Sequence, residues 1–208
     1  MPLSDKPLSV LGSAARAFAA VRRIDLMVFV VPEGGEEEAR AALPNDLFRK
    51  EQLFVSGGLN RRASVYNALA MLEKYKPHWV LIHDGARPWI STGLIEKIID
   101  AISIYNAVIP LLPLVETPKE GDFSGGTGYI TRHLKRARLG TAQTPQGFIF
   151  PEILRAHEKA AERELREMIE YTDDAEVWAE FIGPVAAIPG EIENRKITFP
   201  GDLLGPGI

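Results

Sequence analysis

The chain has 208 residues, of which 46% are hydrophobic and 25% charged, with a formal net charge of −4 and no cysteine. That length suits one well-buried domain, and the mild acidity with interspersed signs argues against a broad nucleic-acid surface while leaving room for a local basic pocket. Disulfides, thiolate nucleophiles and cysteine metal sites are excluded, no apolar run approaches the roughly 20 residues of a membrane span, and Met1 to Ser9 lacks a signal-peptide core, so the expectation is a soluble cytoplasmic protein without membrane or nucleic-acid partners.

In chain order, Leu11 to Ile24 reads as a helix, with Ala15, Phe18, Ala19 and Val21 near one face. Asp25 to Val31 is a strong strand closed by Pro32 and the Gly34-Gly35 pair, and Glu36 to Ala42 an acid-started short helix. Leu53 to Val55 is a short strand, Ser64 to Lys76 a helix and Trp79 to Ile82 a buried strand. Ser91 or Thr92 caps a helix running to about Ile104, and Asn106 to Val115 is extended. Glu116 to Gln143, rich in glycine and then in cations, has no core periodicity and suggests a projecting β-arm. Pro151 to about Tyr171 is an amphipathic helix, and Thr172 caps another through Phe181. Short strands follow at Val185 to Ile188 and Lys196 to Phe199. This alternation describes a single α/β domain over residues 1–208 with a mainly parallel sheet and an arm at 116–143.

Five clusters carry polar chemistry. After the strand Trp79 to Ile82 comes His83-Asp84-Gly85-Ala86-Arg87-Pro88, a carboxylate and a guanidinium where ligands sit in open α/β sheets. A strand-ending turn with a local ion pair explains the same residues. Gly57-Gly58-Leu59-Asn60-Arg61-Arg62-Ala63-Ser64 joins a strand to a helix. It reads either as an anion-binding loop or as a tight turn with Ser64 as the cap. Arg132, Lys135, Arg136 and Arg138 form a basic run before the turn Thr144-Pro145-Gln146; it is a solvated face or a phosphate grip. Thr172-Asp173-Asp174 can cap a helix or bind sugar hydroxyls, and Asn194-Arg195-Lys196 can protect an edge strand or present Lys196 to a phosphate. The histidines show no metal-ligand spacing.

Taken together and in order, GGLNRRASV, HDGARP, the Thr-Pro-Gln turn, TDDA and NRKIT resemble the 2-C-methyl-D-erythritol 4-phosphate cytidylyltransferases from about Leu3 to Leu203. The resemblance implies a Rossmann-like nucleotidyltransferase fold and a homodimer whose arms cross into the partner's site. It implies cytidylyl transfer from CTP to methylerythritol phosphate with a magnesium ion bridging the triphosphate. Transfer to ribitol 5-phosphate, or a non-catalytic dimeric nucleotide-binding role, are its alternatives. By the same resemblance Gly58, Ser64, Asp84 and Gly85 face the nucleotide, and Asp84 also the metal and substrate. Arg136, Thr144, Thr172 and Lys196 hold the substrate, with Arg136 and Lys196 acting in catalysis, and Arg87 steadies its loop.

The chain departs from the family pattern in three ways. The first strand and the Gly-rich loop after it have no match, so a sheet open at that place is expected, together with weak activity. Leu59 stands where an acid is usual, and Lys135 replaces the acid before the arm arginine.

Overall fold

Strand β1 (Leu26–Val31) is an uninterrupted apolar run, and it lies parallel to β2 (Glu51–Ser56) with Leu26 opposite Glu51 and Val31 opposite Ser56. The computed structural model describes residues 8–44, 50–122 and 124–203. Ahead of β1 runs α1 (Val10–Ala20), started by Ser9, whose hydroxyl accepts from the Gly12 amide at 2.8 Å. Between the two strands, α2 (Glu36–Ala42) begins with three glutamates that complement its dipole.

The second sheet is built on β3 (Trp79–Ile82), β4 (Ala107–Pro113), β8 (Gln146–Ile149) and β9 (Ala186–Pro189), with β7 (Gly140–Ala142) beside the end of β4. Strand β8 lies between β3 and β4 and runs against both, while β9 runs parallel to β4. The strands β3, β4 and β9 therefore share a direction, and the interleaved β7 and β8 make most of this sheet's ladders antiparallel. Two further strands, β5 (Lys119–Gly121) and β6 (Ile130–His133), pair antiparallel as the expected arm.

Helices cover both faces. On one, α3 (Arg61–Leu72), α5 (Phe150–Glu167) and α6 (Asp174–Phe181) enclose Leu69, Phe148, Ile153, Val177 and Trp178. On the other, α4 (Thr92–Tyr105) buries Leu94, Ile95, Ile98, Ile99 and Ile102 against Val108 and α1. Each such side chain contributes about 1.5–3 kcal/mol on burial. Gly147 lets α4 approach β8, since a Cβ there would meet Ile102 Cδ1 at 2.6 Å.

Three differences from expectation bear on the site. Helix α3 starts at Arg61, because the Asn60 side chain accepts from the Ala63 amide at 2.7 Å and so displaces Ser64 as cap. Asp173, not Thr172, caps α6, accepting from the Glu176 amide at 2.8 Å. Residues 196–199 form no strand; their link to the neighbouring turn is the Ile197 amide donating to the Ala86 carbonyl at 2.8 Å.

The two sheets do not join. Among the described residues β1 pairs only with β2 and β3 only with β8, so the inner edges of β1 and β3 face each other without a partner. Between them lies a cavity of about 890 Å³ with a mostly apolar wall: Met27 and Val28 on one side, Val80 and Leu81 on the other, Phe18 and Val65 from the helices. The open place expected from the sequence is thus a slot between two strand edges.

Candidate active site

The segments that follow β2 and β3 come together at the slot, where Arg61 and Asp84 both line the cavity. After β3, the Asp84 amide donates to the Thr144 hydroxyl at 3.0 Å and the Asp84 carbonyl accepts from the Arg87 amide at 3.0 Å, which closes the HDGARP turn. The Asp84 carboxylate is then surrounded by cations: Lys196 Nζ at 3.2 Å, Arg87 Nε at 3.5 Å and Arg61 Nε at 3.7 Å. Three sequence motifs, from Arg61 to Lys196 along the chain, converge on one oxygen pair. A cluster of this kind attracts anions strongly where the walls exclude water.

Three loops are held together by polar contacts among themselves. The Asn194 side chain is fully buried; its amide donates to the Thr144 carbonyl at 2.8 Å, and its backbone carbonyl accepts from Arg87 Nη1 at 2.9 Å and Gln143 Nε2 at 3.2 Å. His83 Nε2 lies 3.1 Å from the Arg87 carbonyl, which can only accept, so the ring proton sits on Nε2. Its Nδ1 then accepts from the Thr144 hydroxyl at 3.1 Å. Burial pushes the His83 pKa down to about 4 and outweighs the attraction of the Arg87 carbonyl and Asp84, which keeps the ring neutral in this role. Arg87 is thus a clamp of the loop, as expected.

Gly58 folds its loop onto the start of α3. A Cβ at that position would meet the Ala63 Cβ at 2.5 Å, and the Gly58 amide donates to Ser64 Oγ at 3.0 Å. Ser64 Oγ donates in turn to the Asn60 carbonyl at 2.9 Å and borders the slot with Asp84 and Gly85. Leu59 stands fully exposed in this loop. Thr144, 5% exposed, has its hydroxyl engaged by Asp84 and His83. Thr172 lies at the surface, its hydroxyl donating to Glu176 at 2.9 Å.

The expected residues therefore fall into two groups. Gly58, Ser64, Asp84, Gly85, Thr144 and Lys196 come together around the slot mouth. Thr172, engaged by Glu176 at the surface, and Arg136 stand outside that set; Arg136 is exposed on the arm segment, its guanidinium donating to the Val115 carbonyl, next to the exposed Lys135.

Sequence reasoning placed Arg61 and Asp174 in two separate motifs and did not join them. Of the adjacent arginines, Arg62 turns inward to Glu164 at 2.6 Å, whereas Arg61 reaches the site. Asp174, completely buried in the first turn of α6, accepts from Arg61 Nη2 at 2.7 Å on one oxygen and faces His157 Nε2 at 3.2 Å on the other. Burial opposes ionisation of Asp174, but its contacts with His157 and Arg61 outweigh that and hold its carboxyl below the usual range. Gln146 joins α6 to β8, donating to Asp173 at 3.0 Å and accepting from the Ala175 amide at 3.0 Å. The doubled arginine was a visible signal; its partners come from distant helices and left none.

Fold and site together define an α/β protein with a cation-lined anion site at the carboxyl edge of its strands. The family described as IspD, 2-C-methyl-D-erythritol 4-phosphate cytidylyltransferase, matches residues 3–206, and the chain belongs to this family. It is 37% identical to the 2-C-methyl-D-erythritol 4-phosphate cytidylyltransferase of Pelotomaculum thermopropionicum over 203 residues, covering 97% of this chain and 82% of that one. The bifunctional enzyme IspD/IspF of Bradyrhizobium diazoefficiens is 43% identical over 150 residues, which cover 72% of this chain and 36% of the relative, so the chain spans about a third of that protein's length. Among solved structures, 4-diphosphocytidyl-2C-methyl-D-erythritol synthase from Anaerococcus prevotii superposes with a TM-score of 0.80 at 26% identity, covering 97% of this chain and 85% of that one.

Proposed function

We propose that this chain transfers a cytidylyl group from CTP to 2-C-methyl-D-erythritol 4-phosphate and releases pyrophosphate. The observation that carries the reading is the Lys196–Asp84 pair at 3.2 Å, which brings the NRKIT and HDGARP motifs of the family to one point. Both reactants are polyanions, so the protein's task is to hold them in line and neutralise charge. The substrate phosphate, already ionised, attacks the α-phosphorus, the bond to the β-phosphate oxygen breaks, and pyrophosphate leaves with the electron pair. No general base is needed, which accords with a neutral His83 committed to Thr144 and the Arg87 carbonyl.

Lys196, 47% exposed at its side chain, is free to exchange part of its contact with Asp84 for the substrate phosphate. Gly58 and Ser64 offer a loop folded against a helix start on the nucleotide side. Asp84 supplies a carboxylate for a magnesium ion, and among the described residues no group of three or more acidic, His or Cys side chains stands ready to enclose one. The donor set suits an ion held mainly by phosphate oxygens and water, where it would neutralise the triphosphate.

Arg136 lies apart from its own chain's Asp84 cluster, on an arm whose Val115, Tyr129 and Ile130 are exposed. These features support a homodimer in which each arm delivers Arg136 to the partner's site. No helix among the described residues is long and apolar enough to cross a membrane, which is compatible with a cytoplasmic setting.

A coupled pyrophosphate-release assay with CTP and either methylerythritol 4-phosphate or ribitol 5-phosphate tests the reading. Turnover of the first is expected; preferential turnover of the second, or CTP binding without turnover of either, overturns it. Lys196→Ala and Arg136→Ala should each lower turnover at least 100-fold, about 2.7 kcal/mol in the barrier. Mixing the two inactive variants should restore about a quarter of wild-type activity if sites are shared across a two-fold dimer. Mixtures that stay inactive break the arm-exchange part.

A further inference from the structure

We propose that Arg61 is a ligand-binding residue of this site, reading the phosphate charge of its substrates, and that buried Asp174 is the positioning residue that aims its guanidinium there. The proposal rests on the anion-binding reading of the site and goes beyond it by naming two residues that the motif comparison passed over.

The geometry has three parts. Arg61 stands at the first position of α3, directly after the Gly57-Gly58 loop, and borders the slot mouth with Ser64 and Asp84. Its Nη2 is held by Asp174 at 2.7 Å, whereas its Nε lies 3.7 Å from Asp84, too long for a hydrogen bond. An arginine has five N–H donors in a rigid fork, so a guanidinium held at one corner keeps others for an incoming phosphate. Its side chain is 32% exposed, which leaves that approach open.

The second part is the anchor. The Asp174 side chain is 1% exposed, has Arg61 on one oxygen and faces fully buried His157 across 3.2 Å on the other. A charge buried this far is costly unless it is paired, and among the described residues its cationic partner at hydrogen-bond distance is Arg61. Removing the carboxylate deletes the hydrogen bond that fixes Arg61 Nη2 and leaves the ion pair with Asp84, 3.7 Å from Nε, to orient the guanidinium. Arg62, the adjacent residue, shows the contrast, with its side chain 9% exposed and paired to Glu164 on α5. It has no path to the slot, and it serves as an internal comparison for arginine loss without site loss.

The third part is how α6 is fixed. Gln146 on β8 donates to Asp173 at 3.0 Å and accepts from Ala175 N at 3.0 Å. Asp174 thus sits between two residues tied to the central sheet, and its carboxylate is a rigid reference for the Arg61 fork. Arg61, Arg87 and Lys196 then form three cations around Asp84, contributed by three separate segments.

The test uses the 208-residue chain and inorganic pyrophosphate with excess magnesium as probe, read by titration calorimetry and accompanied by melting curves. Arg61→Gln should weaken pyrophosphate binding by the folded protein at least tenfold and also lower Tm, because it leaves the buried Asp174 carboxylate unpaired, and Arg61→Lys should recover part of both losses. Asp174→Asn should weaken it by a similar factor, and the double variant should bind no more weakly than Arg61→Gln alone, since both changes act through one group. Should Asp174→Asn fail to fold, the affinity order wild type, Arg61→Lys, Arg61→Gln still decides. Binding by Arg61→Gln within twofold of wild type, losses that multiply in the double variant, or a wild-type chain that takes up no pyrophosphate at millimolar concentration would each overturn the proposal. A chain that binds pyrophosphate in this Arg61-dependent way yet fails to turn over CTP refutes cytidylyl transfer and leaves the role of Arg61 standing.

Discussion

The carboxyl end of β3 and its inner edge differ in how they are completed. At its carboxyl end, Asp84, Thr144, Asn194 and Arg87 are joined by hydrogen bonds of side chain and backbone, so three loops from distant parts of the chain lock with polar contacts of their own. Along its inner edge, β3 faces β1 across a largely apolar slot of about 890 Å³ with no strand between them among the described residues. A polar clamp closes with a few directional bonds between fixed atoms. An apolar gap between strand edges closes only when a whole segment fills it and supplies a ladder on both sides. The site is therefore pre-assembled around Asp84, Thr144 and Asn194 and open beside the facing edge of β1.

Four outcomes would sharpen or break that contrast. The largest concerns the filled core: Ile98→Ala, at a fully buried residue on the inner face of α4, should cost about 2–5 kcal/mol in urea unfolding. A loss under 1 kcal/mol would mean that the closed half is no better packed than the slot. Next comes acid. His83 is neutral down to about 4 in the folded chain, whereas an unfolded histidine titrates near 6.5. The folded state thus binds fewer protons between these values, so this stability is fully present above about pH 6.5 and is lost as pH falls towards 4, by at most about 3 kcal/mol. A His83→Gln variant should show a shallower fall in urea midpoint from pH 7 to 4.5, and parallel slopes for the two proteins would remove His83 from the clamp.

Asn194→Ala should cost about 1–3 kcal/mol, because it strips the Thr144 carbonyl of its buried donor. It should also lower affinity for a polyol phosphate by displacing Lys196, which follows two residues later. An unchanged melting temperature would argue that the loops are held by other contacts. The smallest effect belongs to the slot: Val30→Ala, at a residue 40% exposed beside the cavity, should change stability by under about 0.5 kcal/mol. A loss comparable to that of Ile98→Ala would show the slot to be closed in solution.

The sequence was readable where information is local. Runs such as Leu26 to Val31 and Trp79 to Ile82, the acidic start at Glu36 and the Ser91 cap all appear where their periodicity and capping chemistry place them. Boundaries failed where two residues competed for one role, as when Asn60 took the cap from Ser64. Residues 196–199 have β-like composition, but a strand needs a neighbouring edge, and they meet the Ala86 carbonyl only through the Ile197 amide among the described residues. HDGARP, Thr144 and Lys196 could be placed together by family order. The Arg61–Asp174–His157 line could not, since it joins α3, α6 and α5 at positions with no shared periodicity.

The chain's three tryptophans fall in three different surroundings. Trp178 is buried and stacked on Phe148 with ring centroids 5.5 Å apart, Trp89 lies beneath the Arg195 guanidinium at 5.0 Å, and Trp79 borders the slot from β3. The protein thereby carries an optical gauge for its own open seam. Anything apolar that enters between β1 and β3 should shift Trp79 emission to the blue and shield it from iodide, while the Trp178 signal stays where the closed core already holds it.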